Sequence, residues 1–153
     1  MPTSAEIIAI ARLFRFVRES GKQNHGQRVE AIQQWCGGVG GDSWCAYYAT
    51  MVLDLAFQGE APIPRLGACQ DIYELAKAKG WVTDTPASGD LFLYVNDKGH
   101  AHHVGILCSV DGTTVTGIAG NTSKDGKSSN GDGVYERELS AASGLVFVGY
   151  PRG

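Results

Sequence analysis

Cys45 occupies a position at which a cysteine can act as a nucleophile. It follows the glycine-rich stretch GGVGGDSW and opens an apolar stretch, CAYYATMVLDLAF, that predicts a buried helix near residues 44–57. Asp42 or Ser43 is the predicted N-cap, so Cys45 would lie in the first helical turn. Free backbone N–H groups and the helix dipole stabilise a thiolate there, and the thiolate is the reactive form. The alternative interpretation is a small buried core residue.

A cysteine nucleophile needs a base, and the segment HAHHVGILCSV contains three histidines, His100, His102 and His103. Its apolar residues alternate as one face of a strand, and these are Val104, Ile106, Cys108 and Val110. His103 then shares the other face with Gly105, and a glycine beside a histidine leaves space for another element to approach. This pattern leaves open whether His102 or His103 faces Cys45.

Asn121 is the polar candidate for orienting the imidazole, because its side-chain oxygen can accept a ring N–H. The sequence VDGT predicts a hairpin that returns TTVTGIAGN beside the histidine strand. A two-residue turn at Asp111-Gly112 would place Asn121 opposite His102. A three-residue loop would place Ala119 opposite His103, with Asn121 on the same face. The alternative interpretation of Asn121 is a turn residue before the polar loop NTSKDGKSSNGDG.

The elements that must position these residues are helices first and strands second. Helices are predicted over TSAEIIAIARLFRFVRES, GQRVEAIQQWCGG, the stretch that follows Cys45, and CQDIYELAKAKG, with a capping box at Thr3 and Glu6. Strands are predicted over LFLYV, HHVGILCSV, TTVTGIAG, GVYEREL and LVFVGY. This order predicts a single α+β domain over residues 1–153, with helices packed on an antiparallel sheet.

The composition excludes several classes of protein. The 153 residues are 43% hydrophobic and 19% charged, and the net charge of −3 gives no attraction to nucleic acid or an anionic membrane. No apolar run is long enough to span a bilayer, so no membrane insertion is expected. The first twenty residues do not resemble a secretory signal, so cytoplasmic synthesis and no disulfide framework are expected. The four cysteines include no C-x-x-C motif.

Four segments in order, DSWCAYYATMVL, CQDIYELAKAKG, PASGDLFLYV…HAHHVGIL and GNTS, resemble the CHAP domains, which are cysteine, histidine-dependent amidohydrolases or peptidases related to the NlpC-type cell-wall peptidases. The similarity covers about Arg28 to Tyr150. It implies a papain-like fold in which Cys45 is the nucleophile, His103 the base and Asn121 the orienting residue.

The resemblance also implies a substrate, bacterial peptidoglycan, cut at an amide bond between glycan and peptide stem or within the peptide. The Cys45 N–H, helped by Asp42 or Ser43, would bind the oxyanion, and Trp44 would border a substrate groove. Many members have a glutamate where this chain has Ala119, which does not favour a glutamate-assisted site. Asp42 alone does not reproduce the acidic motif of calcium-binding members, so no metal and no cofactor are expected.

The sequence is compatible with more than one biological role and with two other functions. The same chemistry suits a monomeric phage-type endolysin, released to the cell wall after cytoplasmic synthesis, or an antibacterial amidase toxin. A zinc protein would use His100, His102, His103 and Cys108 as ligands. A binding module of the same fold would have no need of a Cys45/His103 pair.

Overall fold

The computed structural model describes residues 1–124, 131–140 and 144–152. Within these residues, four helices precede six strands. The helices are α1 (Ser4–Arg12), α2 (Gln27–Trp35), α3 (Cys45–Ala56) and α4 (Cys69–Lys79). The strands are β1 (Val82–Thr83), β2 (Leu91–Val95), β3 (Ala101–Asp111), β4 (Thr114–Thr122), β5 (Gly133–Glu138) and β6 (Leu145–Val148). The predicted α+β order is confirmed, while residues 125–130 of the predicted polar loop lie outside the described residues.

Helix α1 begins as predicted but ends earlier. Thr3 Oγ1 accepts the Glu6 N–H at 3.2 Å and the Glu6 carboxylate accepts the Thr3 N–H at 2.7 Å, so the predicted capping box is confirmed. The helix does not continue to Ser20, because the chain turns to pair with the edge of β5. There the Val17 carbonyl accepts the Val134 N–H at 3.1 Å, a bond that a continuing helix would not allow.

The sheet has the strand order β1-β6-β2-β3-β4-β5, and each neighbouring pair is antiparallel. Strand β1 was missed by the sequence analysis because two residues carry no alternating pattern. The main core lies between the helices and one sheet face, and it includes Val104 and Ile106 of β3. A smaller cluster containing Leu107 covers the opposite face, as the predicted alternation in β3 requires.

Helix α3 is the central helix, and eight of its twelve residues are buried. It packs on β3 and β4, where Gly120 allows the close approach. A Cβ added to Gly120 would lie 2.7 Å from the Trp44 ring and 2.8 Å from Tyr48 Cβ, closer than carbon atoms pack. The absence of a side chain at Gly120 therefore fixes how close the start of α3 comes to the sheet. No helix of the described residues is long and apolar enough to cross a membrane.

Replacing Gly120 with alanine should destabilise the fold, because the new methyl group overpacks the contact between α3 and β4. We expect the free energy of unfolding to fall by about 1–3 kcal/mol, measured by urea denaturation. Gly149→Ala is the matched control, since its added Cβ would meet its nearest atom at an ordinary 3.6 Å. Equal unfolding free energies for the two variants would contradict this account of the contact.

Candidate active site

Cys45 is the first residue of α3, as the sequence predicted for a nucleophile. The N-cap is Trp44 and no side chain caps the helix start, so the prediction of Asp42 or Ser43 as N-cap is wrong. The Asp42 carboxylate instead accepts the Val39 N–H at 3.1 Å and the Tyr47 hydroxyl at 2.8 Å. These bonds hold the glycine turn in place and leave the first N–H groups of α3 without a capping side chain.

Trp44 does not border a groove. Its side chain is fully buried, and its ring N–H donates to Glu19 at 2.8 Å. The prediction of Trp44 as a groove residue is therefore not supported, because a buried indole offers no surface to a ligand. Ser43 is exposed, and its hydroxyl accepts the Asn121 amide N–H at 2.8 Å.

His103 is the histidine that faces Cys45. It is 1% exposed, whereas His102 is an exposed residue of the same strand. The His103 imidazole is among the groups that act on the Cys45 thiol. A bulge lies beside it, because Tyr94 pairs with His103 and Val95 pairs with Ala101, which leaves His102 as the extra residue. The Tyr94 ring stacks on both imidazoles, with centroids 6.2 Å from His103 and 6.4 Å from His102. The stacking and burial hold the His103 ring in one place.

The surroundings of Cys45 favour its thiolate. Cys69 Sγ lies 3.4 Å from Cys45 Sγ, and a hydrogen bond from Cys69 is the largest cause that lowers the pKa of Cys45 well below its ordinary value of 9.0. Burial acts in the opposite direction and raises the pKa of Cys45. The His103 imidazole and the Val104 N–H, like Cys69, lower it. The sequence analysis did not connect Cys69 with Cys45. The available signal was that each cysteine opens a predicted helix.

The other thiols lie in surroundings that oppose ionisation. Burial raises the pKa of the Cys108 thiol to about 12, and burial also raises the pKa of Cys36. The pKa of Cys69 is raised by its contact with Cys45 and by burial. All four thiols are free in the structure.

The His103 ring is close to Cys45 but does not have the geometry of a hydrogen bond with it. Among the described residues, neither ring nitrogen has a hydrogen-bond partner, and both are buried. A buried imidazole without a partner is costly. In catalytic pairs such bonds are often long before substrate binds and tighten only in the reacting complex.

Asn121 is fully buried and lies beside the site, in a register that differs from both predicted ones. The turn between β3 and β4 is Gly112–Thr113, and a bulge further along β3 then shifts the pairing, so that Ile106 pairs with Ile118. The regular pairing ends at Ile106 and Ile118, and the same register continued for three residues along each strand would place Asn121 opposite His103. Neither prediction included the bulge, because the alternating pattern of β3 continues through it.

A second bulge gives Asn121 its orientation. Pairing between β4 and β5 shifts between Ala119 and Thr122, and Asn121 adopts a left-handed φ of 53°. Asparagine tolerates this conformation better than most residues. The bulge turns the Asn121 amide toward Ser43 at the start of α3, so this side chain links the histidine hairpin to the cysteine helix.

A zinc site has no support in the part of the chain that the structure describes. There, no three His, Cys, Asp or Glu side chains come together in a group that could hold a metal ion. Cys108 lies next to Arg12 and Glu136, and His103 faces Cys45. The four residues of the zinc alternative therefore do not form one ligand set.

The fold and the site define a papain-like α+β domain with a cysteine at a helix start and a histidine on the facing sheet. The sequence model of the CHAP domain matches residues 22–121, a segment that contains Cys45, His103 and Asn121. The chain therefore belongs to the CHAP domain family, the cysteine, histidine-dependent amidohydrolases and peptidases. No curated protein matches it.

Limited treatment with iodoacetamide at mildly acidic pH should label Cys45 before the other cysteines, because only its surroundings favour a thiolate. Peptide mass mapping over time measures the order of labelling. Cys36, which is half-buried, is the internal control for simple accessibility. Earlier labelling of Cys36 or Cys108 than of Cys45 would show that accessibility, and not thiolate character, decides reactivity.

Proposed function

We propose that the protein hydrolyses amide bonds of bacterial peptidoglycan, as an N-acetylmuramoyl-L-alanine amidase or an endopeptidase, with Cys45 as nucleophile and His103 as base. The observation that carries the proposal is the Cys45 thiol at an uncapped helix start, with its pKa lowered, beside a buried imidazole. Membership of the CHAP family supports amidase or peptidase activity in general.

The first half of the reaction forms an acyl-enzyme. The Cys45 thiolate attacks the amide carbonyl carbon, and the negative charge moves to the carbonyl oxygen. The Cys45 N–H points out of the uncapped first turn of α3 and stabilises that oxyanion, with the exposed Ser43 hydroxyl as a second donor. The C–N bond breaks as protonated His103 gives its proton to the leaving amine, and a thioester remains on Cys45.

The second half returns the enzyme to its starting state. His103 takes a proton from a water molecule, and the resulting hydroxide attacks the thioester carbonyl. The C–S bond breaks, the product leaves with a new carboxyl group, and Cys45 is again a thiolate. Asn121, whose amide N–H is bonded to Ser43, is the proposed residue that orients the imidazole during both proton transfers.

Peptidoglycan chemistry also suggests where the enzyme acts. The proposed context is a cell-wall lytic enzyme of the phage endolysin type, a monomer made in the bacterial cytoplasm that acts in the cell wall after release. An antibacterial toxin delivered into rival cells would use the same reaction. A neighbouring holin gene would favour the lytic enzyme, and a neighbouring immunity gene would favour the toxin.

Purified protein should release soluble fragments from isolated peptidoglycan, with new amines but no new reducing sugar ends. Glycosidic cleavage needs two carboxylates flanking the bond, whereas a thiolate and an imidazole suit acyl transfer. Cys45→Ala should abolish release and His103→Ala should reduce it by about 10²–10⁴-fold. Cys36→Ala is the matched cysteine control and should remain active, as should the enzyme in EDTA. Full activity of Cys45→Ala, or new reducing ends, would overturn the proposal.

Asn121→Ala should be less harmful than His103→Ala, because Asn121 orients the ring and transfers no proton. We expect a loss of kcat of roughly 10–100-fold, below the range for removing a general base. Ser43→Ala removes both the hydroxyl that Asn121 contacts and the proposed second oxyanion donor, so its loss should be at least as large. Steady-state rates of amine release, with circular dichroism to check folding, measure both. A loss for Asn121→Ala as large as for His103→Ala would contradict the orienting role.

A further inference from the structure

We infer that Cys69 is a positioning residue for the reaction: its thiol donates an S–H hydrogen bond to the Cys45 sulfur and so stabilises the nucleophile. The inference rests on the proposed function of Cys45. It assigns a role to a buried polar group that the mechanism above leaves unused.

The fold brings the two cysteines together from two helix starts. Cys45 is the first residue of α3 and Cys69 is the first residue of α4, and no side chain caps either helix. Their sulfur atoms are 3.4 Å apart, which is hydrogen-bond contact and far longer than the roughly 2.05 Å of a disulfide. Cys45 is 3% exposed and Cys69 is 8% exposed, so little water competes for the bond.

The position of Cys69 is fixed relative to the histidine strand by its neighbour in the chain. The Gln70 side-chain oxygen accepts the Ala101 N–H at 2.7 Å, which ties the first turn of α4 to the first residue of β3. His103 follows two residues later. Helix α4 therefore holds the Cys69 thiol against Cys45 and His103. The S–H group is positioned by a helix and not by a loop.

The surroundings decide which of the two sulfurs carries the charge. Two thiols in contact cannot both ionise without strong repulsion, so one proton stays between them. The titratable groups that face Cys45 are Cys69 from α4 and His103 from β3, and the Val104 N–H also lowers the pKa of Cys45. The pKa of Cys69 is raised by the same contact and by burial. The proton therefore remains on Cys69, which makes Cys69 the donor and Cys45 the acceptor.

The alternative role for Cys69 is a small apolar core residue. Packing alone would be served by any side chain of similar size, and its loss would lower stability without changing the ionisation of Cys45. Donation of a hydrogen bond makes a different prediction, because a serine retains a donor and an alanine does not. The pair Cys69→Ala and Cys69→Ser therefore separates the two roles.

The experiment measures the rate of Cys45 alkylation by iodoacetamide against pH in the full chain, read from the Cys45 peptide by mass spectrometry. We expect the midpoint of the profile to rise by about one pH unit or more in Cys69→Ala, a roughly tenfold loss of rate below the midpoint. Cys69→Ser should shift it by less. The acidic limb of kcat/KM for amine release should move in the same direction, with KM unchanged.

Equal midpoints in the wild type and Cys69→Ala would overturn the inference, as would equal shifts in the alanine and serine variants. Should Cys69→Ala not fold, judged by circular dichroism, Cys69→Thr compared with Cys69→Val decides, since the two are similar in size and only threonine keeps a donor. Valine should then raise the midpoint and threonine should stay closer to the wild type, and equal midpoints would overturn the inference. The alkylation profile needs no peptidoglycan. If the proposed function is wrong and this inference is right, Cys45→Ala would still release peptidoglycan fragments. The midpoint of Cys45 alkylation would nevertheless rise in Cys69→Ala.

Discussion

The packing of α3 against β3 and β4 is the constraint on which the rest of the site depends. Cys45 belongs to the helix and His103 to the sheet, and they meet only because the two layers approach closely. Gly120 permits that approach, because a methyl group there would press into Trp44 and Tyr48. The interior of a protein does not absorb such a change easily. The placement of Cys45 beside His103, the proposed nucleophile and base, therefore depends on core packing more than on any bond between them.

Burial of Cys45 and His103 disfavours a charge on either side chain, and the neighbouring dipoles and hydrogen-bond donors offset this cost at Cys45. Removing a thiolate from water disfavours the charge, yet the pKa of Cys45 lies below its ordinary value. The Cys69 thiol, the imidazole and the Val104 N–H together outweigh that penalty, and the dipole at the helix start acts in the same direction. Each of these groups comes from a regular element, so their directions are fixed before substrate binds, which is what electrostatic preorganisation requires.

The sequence predicted those parts of the molecule whose signals are local. The start of α3 at a cysteine, the end of α4 at Gly80 and the alternation in β3 are all present in the structure. Each rests on a turn or periodicity signal within a few residues, whereas the capping residue predicted for α3 was wrong. The CHAP-like order of motifs added the expectation that Cys45 and His103 belong to one site.

What the sequence did not predict depends on contacts between distant segments. Three bulges lie in the strands that carry His103 and Asn121, and bulges leave the apolar alternation almost unchanged. Helix α1 ends earlier than predicted because the Val17 carbonyl accepts a backbone hydrogen bond from Val134 at the edge of β5. The proximity of Cys69 to Cys45 follows from how α4 docks on β3, which no spacing along the chain encodes. The sequence predicted that Trp44 borders a groove, but the burial of its side chain depends on contacts with distant segments.

The place of β6 in the sheet has a consequence for the order of folding. This last strand inserts between β1 and β2, pairing Leu91 with Val148 across most of the C-terminal half of the chain. During synthesis, β2 therefore keeps one unpaired edge until residues near 148 leave the ribosome. Such long-range pairing slows folding, and an exposed strand edge invites aggregation in the interval. The helices and the β3–β4 hairpin are made earlier, so the part of the fold that carries the candidate site can assemble before β6 pairs with β2.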